Sequence, residues 1–183
     1  QREEAAAVLA ELLRDHRTAE AAIAVADLHR YFGEVARARE AVEAIQDEAT
    51  RQAALVDVLL AEGKAAEAVE AGRRALAMGL EEPWVWAELG RALVQAGSLQ
   101  EARQVCEGAL KRFGEHSAVL QQLMTNLYVL CAYDDMIALW EHVDRPEQYI
   151  SQVAWACFRK GDFNISLDRF RLEGGRWWWV SGA

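Results

Sequence analysis

The chain has 183 residues, 52% of them hydrophobic, with 27% charged and a formal net charge of -9. That length supports one domain burying about 70% of its unfolded surface. The acidic balance argues against a nucleic-acid backbone as partner, which wants a basic face, and no apolar run approaches the ~18 residues needed to span a bilayer.

Ala, Leu, Glu and Arg are strong helix formers and abundant here, while proline stands only at Pro83 and Pro146, so an all-α fold is expected. Residues 2–16 read as an amphipathic helix, with Ala6, Leu9, Leu12 and Leu13 on one face. That helix is either a cap or the second helix of a preceding hairpin. The start at Gln1 rather than Met is expected to mark a fragment or a processed end.

Beyond residue 16 a pattern repeats. Gly33, Gly63, Gly97, Cys131 and Gly161 form a series of markers. Five residues after each stands Ala38, Ala68, Ala102, Met136 or Ser166, where two helices should cross closely. Two residues after each stands Val35, Ala65, Leu99, Tyr133 or Phe163 as an apolar anchor. Eight residues before come Val25, Leu55, Leu89, Leu123 and Val153. Such self-similarity is the mark of stacked helical hairpins, which cannot bury both apolar faces alone.

The units fall at 19–48, 49–82, 83–116, 117–146 and 147–172, each a helix, a turn at the marker and a returning helix. Glycine at the turn permits the left-handed conformation that ends the first helix. The fourth unit, with Cys131 at its turn and Asp134 and Asp135 as a cap, is the least regular. Residues 173–183 break the pattern. Trp177, Trp178 and Trp179 fit no helical stripe and favour an extended strand. Three readings of this tail compete: the opening of a further segment, an apolar tail docked on a groove of this or another copy, and a non-native end.

No phosphate-binding glycine loop, no zinc-protease motif and no nucleophile elbow is present. His16, His29, His116 and His142 are too far apart for a helical metal face. Cys106, Cys131 and Cys157 have no paired spacing and read as buried small hydrophobes. His29 shares a column with Leu59, Leu93 and Leu127 and is expected as a packed, hydrogen-bonded side chain. Trp86 and Trp140 are expected in the core. No catalytic residue, cofactor or metal is expected.

In residues 83–116, Trp86, Leu89, Gly90 and Leu93 precede Gly97, Ala102, Cys106 and Ala109. This resembles the tetratricopeptide (TPR) repeat, W-x2-L-G-x2-Y, then A-x3-F, then P, with a period of about 34 residues. Cys106 stands where an aromatic is usual and Gly114 where proline is usual. The resemblance covers residues 19–172 and is strongest in the third unit. It implies a right-handed α-solenoid of stacked TPR-like hairpins that binds a protein or peptide segment on its concave wall and scaffolds an assembly.

Carried over residue by residue, the wall begins with the acidic Glu20, Asp27 and Asp57, then offers Trp84, Arg91, Gln95, Gln121, Thr125, Tyr128, Trp155, Phe158 and Arg159. Aromatic residues with Arg have the composition of binding hot spots, so this second part is expected to hold an apolar or aromatic peptide. For Trp84 and Trp155 the competing expectation is packing between neighbouring repeats, and for Asp57 with Arg91 a cross-repeat salt bridge. The carboxylate clamp by which some TPR domains hold chaperone tails is not recognisable, since Ile23, Asp27 and Asp57 occupy its columns. Two alternatives remain: a substrate-docking or regulatory module of a larger enzyme such as a glycosyltransferase, and self-association through Trp177, Trp178 and Trp179. The Ala, Arg and Glu bias suggests a bacterial origin and a cytoplasmic setting.

Overall fold

The computed structural model describes residues 18–144, 149–161, 170–173 and 176–179. The helix expected at 2–16, and Phe163 and Ser166 of the fifth unit, lie outside the described residues. The helices are α1 (Ala19–Tyr31), α2 (Val35–Glu43), α3 (Glu48–Ala61), α4 (Ala65–Ala77), α5 (Pro83–Gln95), α6 (Leu99–Phe113), α7 (Ser117–Val129), α8 (Tyr133–Trp140) and α9 (Ile150–Lys160). Two strands follow, β1 (Phe170–Glu173) and β2 (Arg176–Trp179).

The helix ends follow from local chemistry. Thr18 caps α1 by accepting from the Ala21 N–H at 3.2 Å, and Asp47 caps α3 by accepting from the Thr50 N–H at 2.8 Å. Pro83 opens α5, where its missing N–H costs no helical bond. All five turn markers lie in the left-handed region, with φ of 75° at Gly33, 76° at Gly63, 80° at Gly97, 55° at Cys131 and 81° at Gly161. The turns repeat one bond: the N–H of Glu34, Lys64, Ser98 and Ala132 donates to the carbonyl five residues back, on His29, Leu59, Leu93 and Leu127. This is the Schellman closure that satisfies carbonyls left over at a helix end.

The chain divides into two compact units, residues 1–98 and 99–183. In the first, α1 pairs with α2 and α3 with α4, and α1, α3 and α5 are successive neighbours. One core cluster joins Val25, Ala26, Ala38, Val42 and Val58, and another joins Ala53, Ala75 and Val85 with Leu76, Leu80 and Trp84 packed on it. Ala38 and Ala68 are fully buried, as the close crossings require. Gly72 makes a further close approach: a Cβ there would stand 3.3 Å from Leu89 Cβ.

In the second unit α7 packs on α6 and α8, and α9 packs on α8. Its interior holds Ala102, Cys106, Met124, Met136, Trp140, Val153 and Cys157. Asn126 is fully buried and satisfied, taking a bond from Gln122 Nε2 at 2.8 Å and donating to Cys106 Sγ at 3.4 Å. Burial pushes the Cys106 thiol up to about 12.

Several expectations need correction. The fifth unit does not run as helix to residue 172, because Phe170–Glu173 is a strand. It pairs antiparallel with the tryptophan run, Phe170 opposite Trp179 and Leu172 opposite Trp177, and β2 lies against α9. A small β-hairpin therefore joins the helices. Asp134 and Asp135 sit in the first turn of α8 and do not cap it; the N-cap position belongs to Ala132. Asp135 takes an ion pair from Arg103 at 2.7 Å and Asp134 one from Lys160. Cys131 is exposed, unlike Cys106 and Cys157, because its turn faces solvent. Trp86, Val35, Ala65, Leu99 and Tyr133 are half-buried. His29 is held as expected, its Nδ1 at 2.8 Å from Glu34 Oε2.

Candidate peptide-binding surfaces

In the first unit α1, α3 and α5 bring together five charges that lie far apart in sequence. Arg30 reaches Asp27 at 2.8 Å and Asp57 at 3.0 Å. Arg91 pairs with Asp57 and with Glu88. The order across the helices is Asp27, Arg30, Asp57, Arg91, Glu88, with alternating sign and a carboxylate at each end. Beside this ladder lies a recess of about 130 Å³ lined by Ile23, Ala26, Asp27, Arg30, Ala53, Asp57, Trp84 and Glu88, among others.

Burial dominates the electrostatics here. It pushes the Glu88 carboxyl up to about 7, with the negative charge of Asp27 adding to the shift and Arg30 opposing it. It also lowers the Arg91 guanidinium, with Arg30 acting in the same direction. Arg30 Nε is buried and has no acceptor among the described residues.

In the second unit, Met124, Thr125 and Tyr128 of α7 and Gln152 and Trp155 of α9 line an open recess of about 500 Å³. Trp155 and Phe158 stand one turn apart on α9 and meet edge to face, centroids 5.6 Å apart and planes at 88°. They are 55% and 53% exposed. Tyr128 packs against Tyr133 at 5.9 Å, and Arg159 hydrogen-bonds the Tyr133 hydroxyl, which also meets the Cys131 thiol. Those two contacts pull in opposite directions on Tyr133, and the thiol prevails to raise its pKa. Thr125 spends its hydroxyl on the Gln121 carbonyl at 2.9 Å.

The residues singled out in the sequence thus divide between the units. Trp84, Arg91 and Gln95 lie in the first. Trp84 covers the preceding hairpin at Ala53 and Ala75, Arg91 is engaged by Asp57 and Glu88, and Gln95 is exposed at the end of α5. Gln121, Thr125, Tyr128, Trp155, Phe158 and Arg159 lie in the second, where Thr125, Tyr128 and Trp155 share one recess. Trp177, Trp178 and Trp179 form β2. Glu88, Met124 and Gln152 were not legible as wall residues. Glu88 had one signal, its place three residues before Arg91 on the same helix face.

No helix among the described residues is long and apolar enough to cross a membrane. Among those residues no group of three or more His, Cys, Asp or Glu could hold a metal ion.

Left-handed turns at a regular spacing, alanine at each described crossing but one and first helices set side by side define an α-solenoid of helical hairpins. Residues 59–127 match the family model described as tetratricopeptide repeat, and the fold is that of TPR solenoids. No curated protein matches the chain by sequence. Among solved structures it is similar to a chain of the APC/C hetero-tetramer Cut9-Hcn1, at 12% identity and a TM-score of 0.68, over 92% of this chain and 35% of that one. It thus spans about a third of that relative's length. It is also similar to PilF of Pseudomonas aeruginosa, at 21% identity and a TM-score of 0.65, over 82% of this chain and 72% of that one. A third similar structure is YrrB, described as a TPR protein with an unusual peptide-binding site, at 18% identity and a TM-score of 0.56, over 87% of each chain. These likenesses show the fold.

Proposed function

We propose that the protein is a non-catalytic scaffold that seats an aromatic or large apolar side chain of a peptide segment from a protein partner in the recess between α7 and α9. The observation that carries this reading is the edge-to-face pair Trp155 and Phe158, more than half exposed beside a recess already lined by Met124 and Tyr128. Two large aromatics held in mutual contact and left in water keep apolar area for a guest, and a rigid aromatic loses little entropy when it is covered. Gln152 at the recess and Arg159 one residue beyond Phe158 supply the polar fringe.

The test is a selection of random peptides on the full chain, followed by affinity measurement of the enriched sequence against a Trp155→Ala, Phe158→Ala double variant. Enrichment of aromatic anchors and a loss of about tenfold or more in the variant are expected. Selection without enrichment, or equal affinity in the double variant, rejects the reading. A docking module of a larger enzyme would use the same seat, and the full-length reading frame separates the two.

A further inference from the structure

We propose that the recess between α1, α3 and α5 receives one cationic side chain, a lysine or arginine of a peptide partner, placed between the carboxylates of Asp27 and Glu88 and against Trp84. The inference rests on the reading of the protein as a peptide-binding scaffold and adds a charge preference to it.

Three observations lead there. The ladder holds three carboxylates against two guanidiniums, so with Glu88 ionised it carries one net negative charge. Asp57 is shared by both arginines, whereas Asp27 and Glu88, at the ends, each touch only one of them. Those two end carboxylates and Trp84 line the same recess, and an indole together with carboxylates is a favourable surround for an ammonium or guanidinium. Ile23, Ala26 and Ala53 of the same lining offer the methylenes of a lysine or arginine an apolar contact that a bare cation cannot use. The combination favours a peptide residue over a free ion.

Glu88 couples this seat to pH. Short of water, it holds its proton to about 7, and a guest cation competes with that proton. The other charges facing it are Asp27 and Arg30 from α1, Asp57 from α3 and Arg91 on its own helix; His29 on α1 is engaged by Glu34.

The probe is Nα-acetyl-lysine N-methylamide, titrated into the full chain while the Trp84 indole resonance is followed by NMR, with the norleucine analogue as control. The lysine probe should move that resonance and the norleucine probe should not. Its affinity should rise by about tenfold from pH 6 to pH 8, as Glu88 loses its proton. In Glu88→Gln it should weaken by about tenfold and lose the pH dependence. Asp27→Asn, at an exposed carboxylate, should weaken it while keeping the pH dependence, and serves if Glu88→Gln folds poorly. Trp155→Ala should leave it unchanged. Equal binding of the norleucine probe, or a flat pH profile in the unaltered chain, overturns the inference. If selected peptides bind through Trp155 and Phe158 while the lysine probe does not bind, this inference falls and the scaffold reading stands. If the lysine probe binds and no peptide is enriched, the scaffold reading falls.

Discussion

Arg91 on α5 forms an ion pair with Asp57 on α3, the residue in the same column of the preceding repeat. Asp57 simultaneously holds Arg30 at 3.0 Å, so one half-buried carboxylate ties three first helices together. Asp57→Ala strands two guanidiniums, and its cost should lie between that of an exposed and a buried pair, at about 1–2 kcal/mol. Arg91→Ala should cost less, since Asp57 keeps Arg30. In urea unfolding the double variant should be less destabilised than the sum of the singles, because the two residues share one contact. Strictly additive losses would show that the pair contributes nothing across the repeat.

The same ladder sets a pH dependence. Glu88 binds its proton more tightly folded, at about 7, than unfolded, near the ordinary glutamate value of 4.5. Between those values the folded state carries the extra proton, so stability falls as pH rises through that window and levels off above it. Glu88→Gln, neutral throughout, should remove this slope. Glu62 runs the opposite way: bonds from Arg39 and Lys64 hold it down to about 2, so its contribution is present above 4.5 and is lost as pH falls toward 2. Thermal melts of the unaltered chain and of Glu88→Gln from pH 5 to 8 check the first statement; parallel curves would contradict it.

Cys131 occupies the left-handed conformation that glycine holds at the other four markers, with φ of 55°. A side chain there costs roughly 1 kcal/mol relative to glycine. Cys131→Gly should therefore stabilise by about 0.5–1 kcal/mol, less whatever the Tyr133 contact to the thiol contributes. Gly97→Ala should destabilise by a similar amount, although nothing lies within 4 Å of its Cβ position, because strain and not crowding selects glycine there. Denaturant midpoints for the two variants should move in opposite directions. A rise for Gly97→Ala would refute the account.

The turn series was legible because left-handed closure admits so few residue types, and Cys131 could be placed by the regularity of its neighbours despite being the wrong type. The buried columns at Ala38, Ala68 and Ala102 were legible for the related reason that close crossings exclude bulk, and Met136 only from its place in the series. The end of the solenoid was not, since the residues around Phe170 carry the spacing of a helix as readily as that of a strand, and only the pairing of Phe170 with Trp179 decides between them. Arg91 was recognisable as a wall residue and, from the column it shares with Asp57, as one side of a cross-repeat salt bridge, whereas its pairing with Glu88 was not. Its partner Glu88 lies outside the repeat positions that face the groove, and charge pairing across three helices has no periodic signature in a sequence.

The aromatic seat and the helix crossings should separate in a stability measurement. Trp155 and Phe158 are more than half exposed, so truncating both removes little buried area and should cost under about 1.5 kcal/mol with helicity retained. Gly72 lies within a core crossing, and a valine there must displace Leu89 at its Cβ, with a cost of about 1–3 kcal/mol. Circular dichroism melts of the two variants decide the matter. If the double aromatic variant unfolds as readily as Gly72→Val, then Trp155 and Phe158 serve the chain's own packing and the seat between α7 and α9 is not a place kept for a guest.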